Sequence, residues 1–392
     1  MIARRSFLAA AKPLPTLRDQ FPWAATQTYL NSAGYHPLSV RADRAMRRYL
    51  DSIVRGPGPG RLPFGEPEVA ELKGLFGGLI NARPHEIAVV MSTMAGENMV
   101  AEALQLEASG GNVVTDELHY HGGLHLYHEL AKSGRLEVRV VKQKDWRTSP
   151  AGFERLVDRK TRLIAITLVS NINGHLADAR ALSDLAHAHG ALLYADIIQA
   201  AGCIPVDVRK LGIDFAAAGS YKWLMGPAGM GFLYVKEELL DRLHVPHHGD
   251  GQYLDFVYHF FPNSPPGTRP FSFTRKPGAA RFEPGQLPFA AMAAQAEALR
   301  LLRETGVGRI QAHSQPLTRR VCREVAALGY PCITPPDSPA PIAAFLAERP
   351  EALAARMKKA RIEVKIKWKQ LRVSPSIFNN GTDVDRLLEA LS

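Results

Sequence analysis

The chain has 392 residues, of which 46% are hydrophobic and 22% charged, and its mean hydropathy is −0.12. This composition is that of a globular protein and excludes a disordered chain, a collagen-like fibre and a bundle of membrane helices. Lys and Arg outnumber Asp and Glu by 48 to 38. Because this excess is spread along the sequence, it favours small anionic ligands over nucleic acid. No stretch approaches the roughly 20 apolar residues of a membrane span.

The cysteines and the N-terminus bear on the cellular compartment. Cys203, Cys322 and Cys332 are too few for a disulfide framework or a zinc site, which favours a reducing, cytoplasmic location. Residues 4–8, Arg-Arg-Ser-Phe-Leu, are similar to the core of a twin-arginine export signal, but no apolar segment follows them. Residues 1–14 are interpreted as a basic tail, with a truncated export signal and a periplasmic location as the alternative.

Short apolar runs alternate with amphipathic segments from residue 67 to residue 235. Nearly continuous apolar strands separated by helices indicate an α/β fold, with a parallel sheet covered by helices on both faces. Such sheets bind their ligands at the carboxyl ends of the strands. The predicted strands are 86–92, 112–116, 136–143, 163–171, 191–196, 214–219 and 231–235.

The second part of the chain has a different texture. Residues 245–285 are rich in Gly, Pro, His and aromatic residues, which predicts a long irregular connection. The elements predicted after it are helices at 287–304 and 309–328, strands near 342–345, 363–369 and 371–378, and a final helix at 382–391. The predicted units are an N-terminal segment that packs with the small domain (15–45), a large domain (46–262) and a small C-terminal domain (263–392).

The residues with the clearest chemical meaning follow two of the predicted strands. Asp196 ends the apolar strand 191–196, and Lys222 comes just after the strand 214–219. Both side chains are therefore expected in the crevice above the sheet. A lysine there can form a Schiff base with an aldehyde, and a carboxylate can keep a pyridinium nitrogen protonated so that the ring accepts electrons. The pair indicates the chemistry of pyridoxal 5′-phosphate (PLP).

The ordered set of motifs resembles the class V aminotransferase family of fold-type I PLP enzymes, which includes cysteine desulfurases, isopenicillin-N-epimerase-like proteins and relatives of kynureninase. The resemblance extends from Tyr29–Gly34 (YLNSAG) to Arg372–Asn379 (RVSPSIFN), which is nearly the whole chain. It implies a large domain with a mostly parallel sheet flanked by helices and a small α+β C-terminal domain. It also implies a homodimer with active sites at the subunit interface.

The resemblance assigns roles around the cofactor ring. It makes Lys222 the lysine of the internal aldimine and Asp196 the catalytic partner of the pyridine nitrogen. Gln199 is placed against the phenolic oxygen of the cofactor, and Asn171 would share that contact. Hydrogen bonds to this oxygen tune the proton affinity of the imine.

The cofactor phosphate is expected at the N-terminus of the helix that follows the first predicted strand. Thr93, Met94 and Ala95 offer backbone N–H donors there. Family members commonly have Thr-Thr-Glu in this place. The alignment of Thr93 with the family's phosphate-binding hydroxyl can therefore shift by one residue, and the role of its side chain stays open. Ser220 adds a second hydroxyl in the family pattern. Gln286 stands where the family usually has a Thr that reaches the phosphate of the other subunit.

An aromatic or imidazole ring normally stacks on the pyridine face of the cofactor. Tyr120 matches the family's stacking residue, and His121 is the alternative if the alignment shifts by one. His125 and His128 are interpreted as structural residues. No metal site is predicted, because no acidic cluster accompanies these histidines at the spacing of metal ligands.

The substrate is expected to be an amino acid or a small metabolite that carries an amine. In the family, the Arg of the Arg-(Val/Ile)-Ser-Pro motif binds the α-carboxylate, which makes Arg372 the substrate anchor. Asn31, Tyr35 and His36, from the N-terminal motif, are further candidates to line the substrate mouth.

The cysteines also bear on the type of reaction. A cysteine desulfurase needs a nucleophilic Cys shortly before the carboxylate-binding Arg, and the interval from Met357 to Arg372 contains none. Cys332 comes about forty residues too early, and Cys322 is interpreted as an inert thiol in a helix. Transamination is therefore the first prediction. Elimination and epimerisation are the alternatives, and a non-catalytic PLP-binding protein is disfavoured because Lys222 and its partners are all present.

Overall fold

The computed structural model describes residues 17–56, 58, 62–257 and 272–392. The predicted basic tail at 1–14 lies outside the described residues, and so does the predicted domain boundary at 262/263. In the described part of the chain, no helix is both long enough and apolar enough to cross a membrane.

The elements follow the predicted alternation closely. The α-helices are Trp23–Thr26 (α1), Val40–Arg55 (α2), Glu66–Ile80 (α3), Thr93–Ala103 (α4), Leu106–Ser109 (α5), His121–Ala131 (α6), Pro150–Glu154 (α7), Ala179–Ala188 (α8), Phe289–Thr305 (α9), Val307–Ala327 (α10), Pro350–Lys359 (α11) and Gly381–Leu391 (α12). The β-strands are Thr28–Tyr29 (β1), Ile87–Val90 (β2), Gly111–Asp116 (β3), Leu136–Val141 (β4), Thr161–Thr167 (β5), Leu192–Asp196 (β6), Phe215–Gly219 (β7), Gly231–Val235 (β8), Tyr253–Val257 (β9), Ser272–Arg275 (β10), Ala343–Leu346 (β11), Ile362–Glu363 (β12), Lys365–Lys367 (β13) and Gln370–Val373 (β14).

The central sheet has seven strands in the order β2-β8-β7-β6-β5-β3-β4. Strand β8 runs antiparallel to both of its neighbours, and the other pairs are parallel. Strands β5, β6 and β7 therefore all end at one edge of the sheet, and helix α4 begins there after β2. The predicted α/β fold with a mostly parallel sheet is confirmed.

Alternate residues of each strand belong to different hydrophobic cores. On β7, Ala216 and Ala218 face the core that includes residues of helices α3, α8 and α9, whereas Phe215 and Ala217 face the core with residues of α4 and α6. A strand with both faces covered must be apolar throughout, which explains the continuous runs in the sequence.

A third core belongs to the C-terminal unit. Strands β11, β14 and β13 form an antiparallel sheet, and Val321 of α10, Leu353 of α11 and Leu387 of α12 contribute to its core. The N-terminal strand β1 pairs in parallel with β12, and Leu30 enters the same core.

The predicted domain division stays a prediction, and the packing suggests a refinement. Helix α9 packs against α2 and α3 and contributes Met292 to the core of the large sheet. We propose that the large unit continues through α9 and that the small unit begins near α10.

Two predicted segments differ from the structure. The irregular connection at 245–285 contains β9 and β10, which pair antiparallel on either side of the undescribed residues 258–271. The predicted strand 363–369 is divided into β12 and β13, which pair with different partners. It then ends at Trp368, whose φ of +53° begins a turn and leaves its ring 77% exposed. The alternation of apolar residues was therefore misleading at that position.

The packing of helix α3 on the sheet can be tested at a single aromatic pair. Phe232 of β8 and Phe76 of α3 stack with ring centroids 4.1 Å apart in the core that includes residues of helices α3, α8 and α9. Phe232→Ala should lower the free energy of unfolding by about 3–5 kcal/mol, measured by urea denaturation. Val54→Ala is the matched control, because Val54 is 81% exposed and should change stability by less than about 0.5 kcal/mol. Equal losses in the two variants would contradict this assignment of the core.

Candidate active site

Three buried charged side chains meet where the parallel strands end. Asp196 is the last residue of β6, Lys222 follows β7, and Arg372 lies on β14 of the C-terminal unit. Their exposed fractions are 1%, 8% and 6%, respectively. The charges of Asp196 and Arg372 both act on Lys222, in opposite directions. The structure thus brings together the ring partner, the imine lysine and the substrate anchor that the sequence predicts.

Burial weakens the acidity of Asp196. Loss of hydration raises the pKa of its carboxyl group to about 6, against the effect of the Ile198 backbone N–H, which donates to Oδ1 at 2.9 Å. The carboxylate is still mostly ionised at neutral pH. Because it is poorly hydrated, its electrostatic attraction to a nearby protonated cation is strong. These are the properties that the partner of a pyridinium nitrogen needs.

Burial has the opposite effect on Lys222. Loss of hydration lowers the pKa of its amine to about 8, with Asp196 opposing this and Arg372 reinforcing it. The next residue, Trp223, is buried and donates its indole N–H to Gln199 Oε1 at 2.8 Å, which anchors the loop. Lys222 is therefore a lysine on a fixed loop whose amine is largely unprotonated in mildly alkaline solution, as a nucleophile requires.

The predicted phosphate site has free backbone donors at its centre. Ser92 caps helix α4 by accepting a hydrogen bond from Ala95 N–H at 3.0 Å, and Thr93 Oγ1 accepts one from Gly219 N–H at 2.8 Å. In the described structure, the N–H groups of Thr93 and Met94 make no such bond. The donors available to an anion are thus those of Thr93 and Met94, whereas the N–H of Ala95 is already used.

The side chain of Ser220 supports the loop that carries Lys222. Its hydroxyl is fully buried and contacts the carbonyl oxygens of Pro227 and Met230. A hydroxyl has one proton to donate, so Ser220 could donate to a phosphate only by giving up these contacts. Its role as a phosphate ligand stays a prediction.

Tyr120 lies at the start of helix α6, beside the phosphate site. Its backbone N–H donates to Thr167 Oγ1 at 2.9 Å, and its half-buried phenol has a raised pKa, first because of burial and then because of Asp196. A Cβ atom on Gly122 would lie 2.8 Å from the Tyr120 ring and 2.9 Å from Met94 Sδ, so only glycine permits this approach. The stacking role of Tyr120, with the exposed His121 as the alternative, stays a prediction.

Gln199 is fully buried and holds the frame of the site together. Its amide nitrogen donates to Ala33 O at 2.9 Å, and its oxygen accepts from Trp223. These bonds join the N-terminal segment to the loop of Lys222. One amide hydrogen remains for the predicted contact with the phenolic oxygen of the cofactor, which stays a prediction.

Arg372 has an unsatisfied donor. Its Nη1 donates to the backbone oxygen of Asn171 at 2.7 Å, but its buried Nε has no hydrogen-bond partner within the described chain. Burial lowers the pKa of the guanidinium to about 10, so it remains a cation at neutral pH. An unpaired buried N–H on a buried cation favours an anionic ligand. The contact of the Asn171 side chain with the cofactor stays a prediction.

The predicted substrate contact of His36 is wrong. His36 is completely buried between the rings of Phe21 and Phe378, and its nitrogens bond Pro37 O at 2.8 Å and Ser376 Oγ at 2.9 Å. Burial lowers its pKa to about 4, so it is neutral and has no free nitrogen. Its position in the motif reflects packing of the N-terminal segment.

Asn31 fits its prediction better. Its side-chain amide donates to Glu363 Oε1 at 3.4 Å, and its buried Oδ1 has no partner among the described residues. The neighbouring Tyr35, whose ring is 41% exposed, lies 5.7 Å from the ring of Tyr221, the residue before Lys222. Tyr35 therefore stays a candidate for the substrate mouth, and Tyr221 is a further one. The position of an aromatic residue directly before the lysine is the sequence signal that could have identified Tyr221.

Gln286 lies away from the other candidates in this chain. It is exposed and lines a cavity of about 310 Å³ beside the buried ion pair of Lys73 and Glu283, whose atoms approach to 2.7 Å. The chain itself therefore does not bring Gln286 to the site of Lys222. This location is compatible with its predicted role toward a partner subunit, which stays a prediction.

A buried network behind the site was missed by the sequence reasoning. His119 Nε2 bonds Glu97 Oε1 at 2.9 Å and Nδ1 bonds Thr167 Oγ1 at 3.0 Å, while Tyr127 donates to the same Glu97 oxygen at 2.9 Å. Burial alone would lower the pKa of His119, but the carboxylates of Glu97, Asp116 and Asp196 outweigh it, and the net pKa is raised. The network connects helix α4 to the backbone of Tyr120 through Thr167. Glu97 and His119 are far apart in sequence, so no local pattern links them.

The comparisons with known proteins agree with this geometry. The sequence model described as aminotransferase class-V matches residues 67–387. The chain belongs to the class V aminotransferase family. Its relatives include a probable cysteine desulfurase of Methanothermobacter thermautotrophicus, 29% identical over 83% of this chain and 78% of that protein. The uncharacterized aminotransferase YcbU of Bacillus subtilis is 26% identical over 96% of each chain, and the isopenicillin N epimerase of Streptomyces clavuligerus is 27% identical over 80% of this chain and 81% of that protein.

Solved structures share the fold. The apo cysteine desulfurase of Thermococcus onnurineus superposes with a TM-score of 0.84 at 22% identity, over 97% of this chain and 98% of that one. A mutant of the protein C-DES, with glycine covalently linked to the PLP cofactor, gives 0.83 at 20% identity, over 95% of this chain and 98% of that one. The predicted family and fold type are therefore confirmed.

PLP is the cofactor of this class V family member, as the sequence predicts, and the described residues fit it. The buried carboxylate of Asp196 suits a ring nitrogen, Lys222 suits the aldehyde carbon, and the free N–H groups of Thr93 and Met94 suit the phosphate. Among the residues that the structure describes, no group of three or more His, Cys, Asp or Glu side chains could hold a metal ion.

The lowered pKa of Lys222 can be measured directly in cofactor-free protein. Reductive methylation of Lys222, followed by peptide mass spectrometry, should rise through about pH 8 instead of near 10.5. Arg372→Met should raise the pKa of Lys222, because it removes a nearby like charge, and Asp196→Asn should lower it further. The exposed Lys367 is the internal control for the reagent. The same pH curve for Lys222 and Lys367 in the unsubstituted protein would contradict the burial argument.

The Glu97–His119 pair should make stability depend on pH. Because the folded pKa of His119 lies above the ordinary 6.5, the pair's contribution is fully present below pH 6.5 and is lost as pH rises through the raised pKa. His119→Gln should therefore cost about 3–5 kcal/mol at pH 6 and less at pH 9, measured by urea denaturation. Tyr127→Phe removes a hydrogen bond without a charge, and its loss of about 1 kcal/mol should not vary with pH. A pH-independent loss in His119→Gln would rule out the ion pair.

Proposed function

We propose that this class V enzyme acts at the α-carbon of an amino acid and transfers its amino group. The observation that supports this most strongly is the buried Arg372, whose Nε lacks a partner beside the reactive Lys222. An α-carboxylate would satisfy that donor, and the α-carbon would then lie within the same enclosed site as the amine. Bound PLP supplies the carbonyl that captures the substrate amine and a ring that withdraws electrons from the α-carbon.

Each residue of the chain has a defined task in this reaction. Arg372 binds the substrate carboxylate and orients the α-hydrogen. Lys222, whose lowered pKa of about 8 frees its amine in mildly alkaline solution, removes that proton as the general base and returns it as the general acid. Asp196 keeps the ring nitrogen protonated, and the backbone of Thr93 and Met94 binds the phosphate.

The preference for transamination rests on what the base can do. A single mobile amine could move a proton between two carbons that flank one nitrogen, from the substrate α-carbon to the carbonyl carbon of the cofactor, which is the proton transfer of transamination. Desulfurase chemistry would need a thiol shortly before Arg372, and the sequence has none from Met357 onwards. Cys332 lies on another face, where it bridges to Phe345 and lines a cavity with helix α10.

Epimerisation is the second candidate, and one relationship favours it. The isopenicillin N epimerase relative is 27% identical over most of both chains. Epimerisation would need a second proton donor on the face opposite Lys222, and we propose Tyr120, whose half-buried phenol is influenced by Asp196, as the candidate for that role.

Assembly is part of the proposal. Gln286 is exposed in this chain, and a partner subunit would bring a second copy of it to the phosphate of the first. The active unit is proposed to be a homodimer with small amino-acid-like substrates.

The role of Lys222 has a simple test. Protein loaded with PLP should be yellow, and borohydride should fix the cofactor on Lys222, as detected by peptide mass spectrometry. Lys222→Ala should abolish the fixation and reduce the rate of α-hydrogen exchange by about 10²–10⁴-fold. Unsubstituted protein that gains no visible absorbance with PLP would overturn the proposed function.

The role of Arg372 can be separated from general damage by changing the substrate. Arg372→Leu should reduce kcat/KM for amino acids by about 10²–10³-fold, and Arg372→Lys should recover only part of it, because it lacks the planar fork. Amines without a carboxylate should be affected little. Equal losses for amines and amino acids would contradict the role as a carboxylate anchor.

The reaction type follows from the products of an amino-acid panel. Transamination predicts a keto acid together with the pyridoxamine form of the cofactor. Loss of chirality without a keto acid would replace the first candidate by epimerisation, and released ammonia would replace it by elimination. Chiral chromatography and a keto-acid assay distinguish these outcomes.

A further inference from the structure

A second cavity lies between the C-terminal unit and a turn of the large unit, and its lining includes none of the residues assigned to the site of Lys222. It has a volume of about 450 Å³, within the range of small-molecule sites. Its walls are helix α10, the turn at 144–147 and the segment 332–338. The residues that matter chemically are Trp146, Arg319, Cys322, Arg323 and Cys332.

Two thiols meet in this cavity. Cys322 lies on α10, and Cys332 lies on the segment that pairs with Phe345 of β11. Both side chains line the cavity, and each thiol is the neighbour that most affects the acidity of the other. Both are half-buried and open to the cavity, whereas Cys203 is completely buried elsewhere. The interpretation of Cys322 as an inert helical thiol does not account for this pairing, which was not recognised in the sequence because nine residues separate the two cysteines.

The rim of the cavity is positively charged. Arg319 and Arg323 stand one turn apart on the same face of α10 as Cys322, and both are exposed. Arg323 pairs with Glu324 at 2.7 Å, whereas Arg319 forms no ion pair within the described chain. Arg147, across the cavity, is paired with Asp337. The unpaired guanidinium of Arg319 therefore favours the binding of an anionic small molecule next to the thiols.

The opposite wall carries an aromatic ring on a strained turn. Asp145 and Trp146 both have positive φ, +51° and +63°, in a two-residue turn whose strands bond through Lys144 and Arg147. Asn-Gly is the preferred pair for such a turn, so Asp-Trp is costly there. The turn is held by Asn173, whose amide donates to Trp146 O at 2.7 Å and to Ile333 O at 3.2 Å. Trp146 is thereby fixed beside the segment of Cys332.

We propose that Cys322 and Cys332 form a dithiol site that exchanges with small disulfides carrying carboxylate groups, with Arg319 as the anion contact. Cys332 is the attacking thiol and Cys322 the resolving thiol. The site is independent of the proposed reaction at Lys222.

The exchange balances without a further oxidant. The Cys332 thiolate attacks one sulfur of the small disulfide, a bond forms between them, and the first small thiolate leaves with the electron pair and takes up a proton. Cys322 then loses its proton and attacks Cys332 Sγ, which releases the second small thiolate to be protonated. One small disulfide is reduced to two thiols, and the two cysteines are oxidised to one disulfide.

The acidities of the thiols agree with this order. The neighbouring Cys322 thiol lowers the pKa of Cys332 below its ordinary value, and Cys332 in turn raises the pKa of Cys322. A thiol with a pKa near the ambient pH is the best attacking group, since it combines thiolate fraction with nucleophilicity. Cys203 has a raised pKa through burial and is a natural internal control.

The test compares two disulfides of opposite charge on the reduced, PLP-loaded protein. Oxidised glutathione carries carboxylates, whereas cystamine carries only ammonium groups. Samples are quenched with acid, alkylated and analysed by peptide mass spectrometry. We expect a Cys322–Cys332 disulfide that forms roughly tenfold faster with oxidised glutathione, while Cys203 stays reduced. Cys322→Ser should trap a mixed disulfide on Cys332.

The charge contact has a matched control on the same helix. Arg319→Gln should remove most of the preference for oxidised glutathione, and Arg309→Gln, at an exposed position outside the cavity lining, should leave it unchanged. Equal rates for the two disulfides, trapping on Cys322 in Cys332→Ser as fast as on Cys332 in Cys322→Ser, or no disulfide between the two positions would each overturn the proposal. None of these outcomes depends on the reaction at Lys222.

Discussion

The site depends on the burial of two cations with one adjacent anion. Lys222 lies near both Asp196 and Arg372 in a space with little water, and the positive charge of Arg372 adds to burial in lowering the pKa of the lysine. Burial alone lowers the pKa of Arg372. An excess of buried positive charge is stable only when an anion compensates it or when the lysine gives up its proton. The protein uses both solutions, since the lysine has a lowered pKa and the arginine keeps an open donor. A ligand with a phosphate and a substrate with a carboxylate supply the missing charge.

The fold makes this arrangement by joining two units at one loop. Asp196 and Lys222 belong to the large sheet, whereas Arg372 comes from the small antiparallel sheet. Residues 171–174 connect them: the backbone oxygens of Asn171 and Ile172 accept from Arg372 and Gln370 at 2.7 Å. The position of the substrate anchor therefore depends on how the small unit is packed, and the same loop reaches the second cavity through Asn173.

The fold and the centre of the site were predictable because their signals are local. Continuous apolar runs mark strands buried on both faces, and Asp196 and Lys222 follow such runs directly. His36 illustrates the limit, since a motif gives its place in the chain but not the direction of its ring, which packs between Phe21 and Phe378. Ser220 shows the same limit, because its hydroxyl is turned toward its own loop. Side chains that meet only in the folded protein, such as Glu97 with His119 and Cys322 with Cys332, produce no recognisable pattern in the sequence.

The pairing of β1 with β12 has a consequence for biosynthesis. Thr28 and Tyr29 leave the ribosome early, but their partners Ile362 and Glu363 are made more than three hundred residues later. The bonds of Gln199 to Ala33 and of His36 N–H to Tyr221 O need no residue beyond 221, so they can form before the strand partner of β1 has been made. The growing chain can thus complete its large sheet and place residues 33–36 on the lysine loop first, and β1 joins the small unit only after β12 has been made.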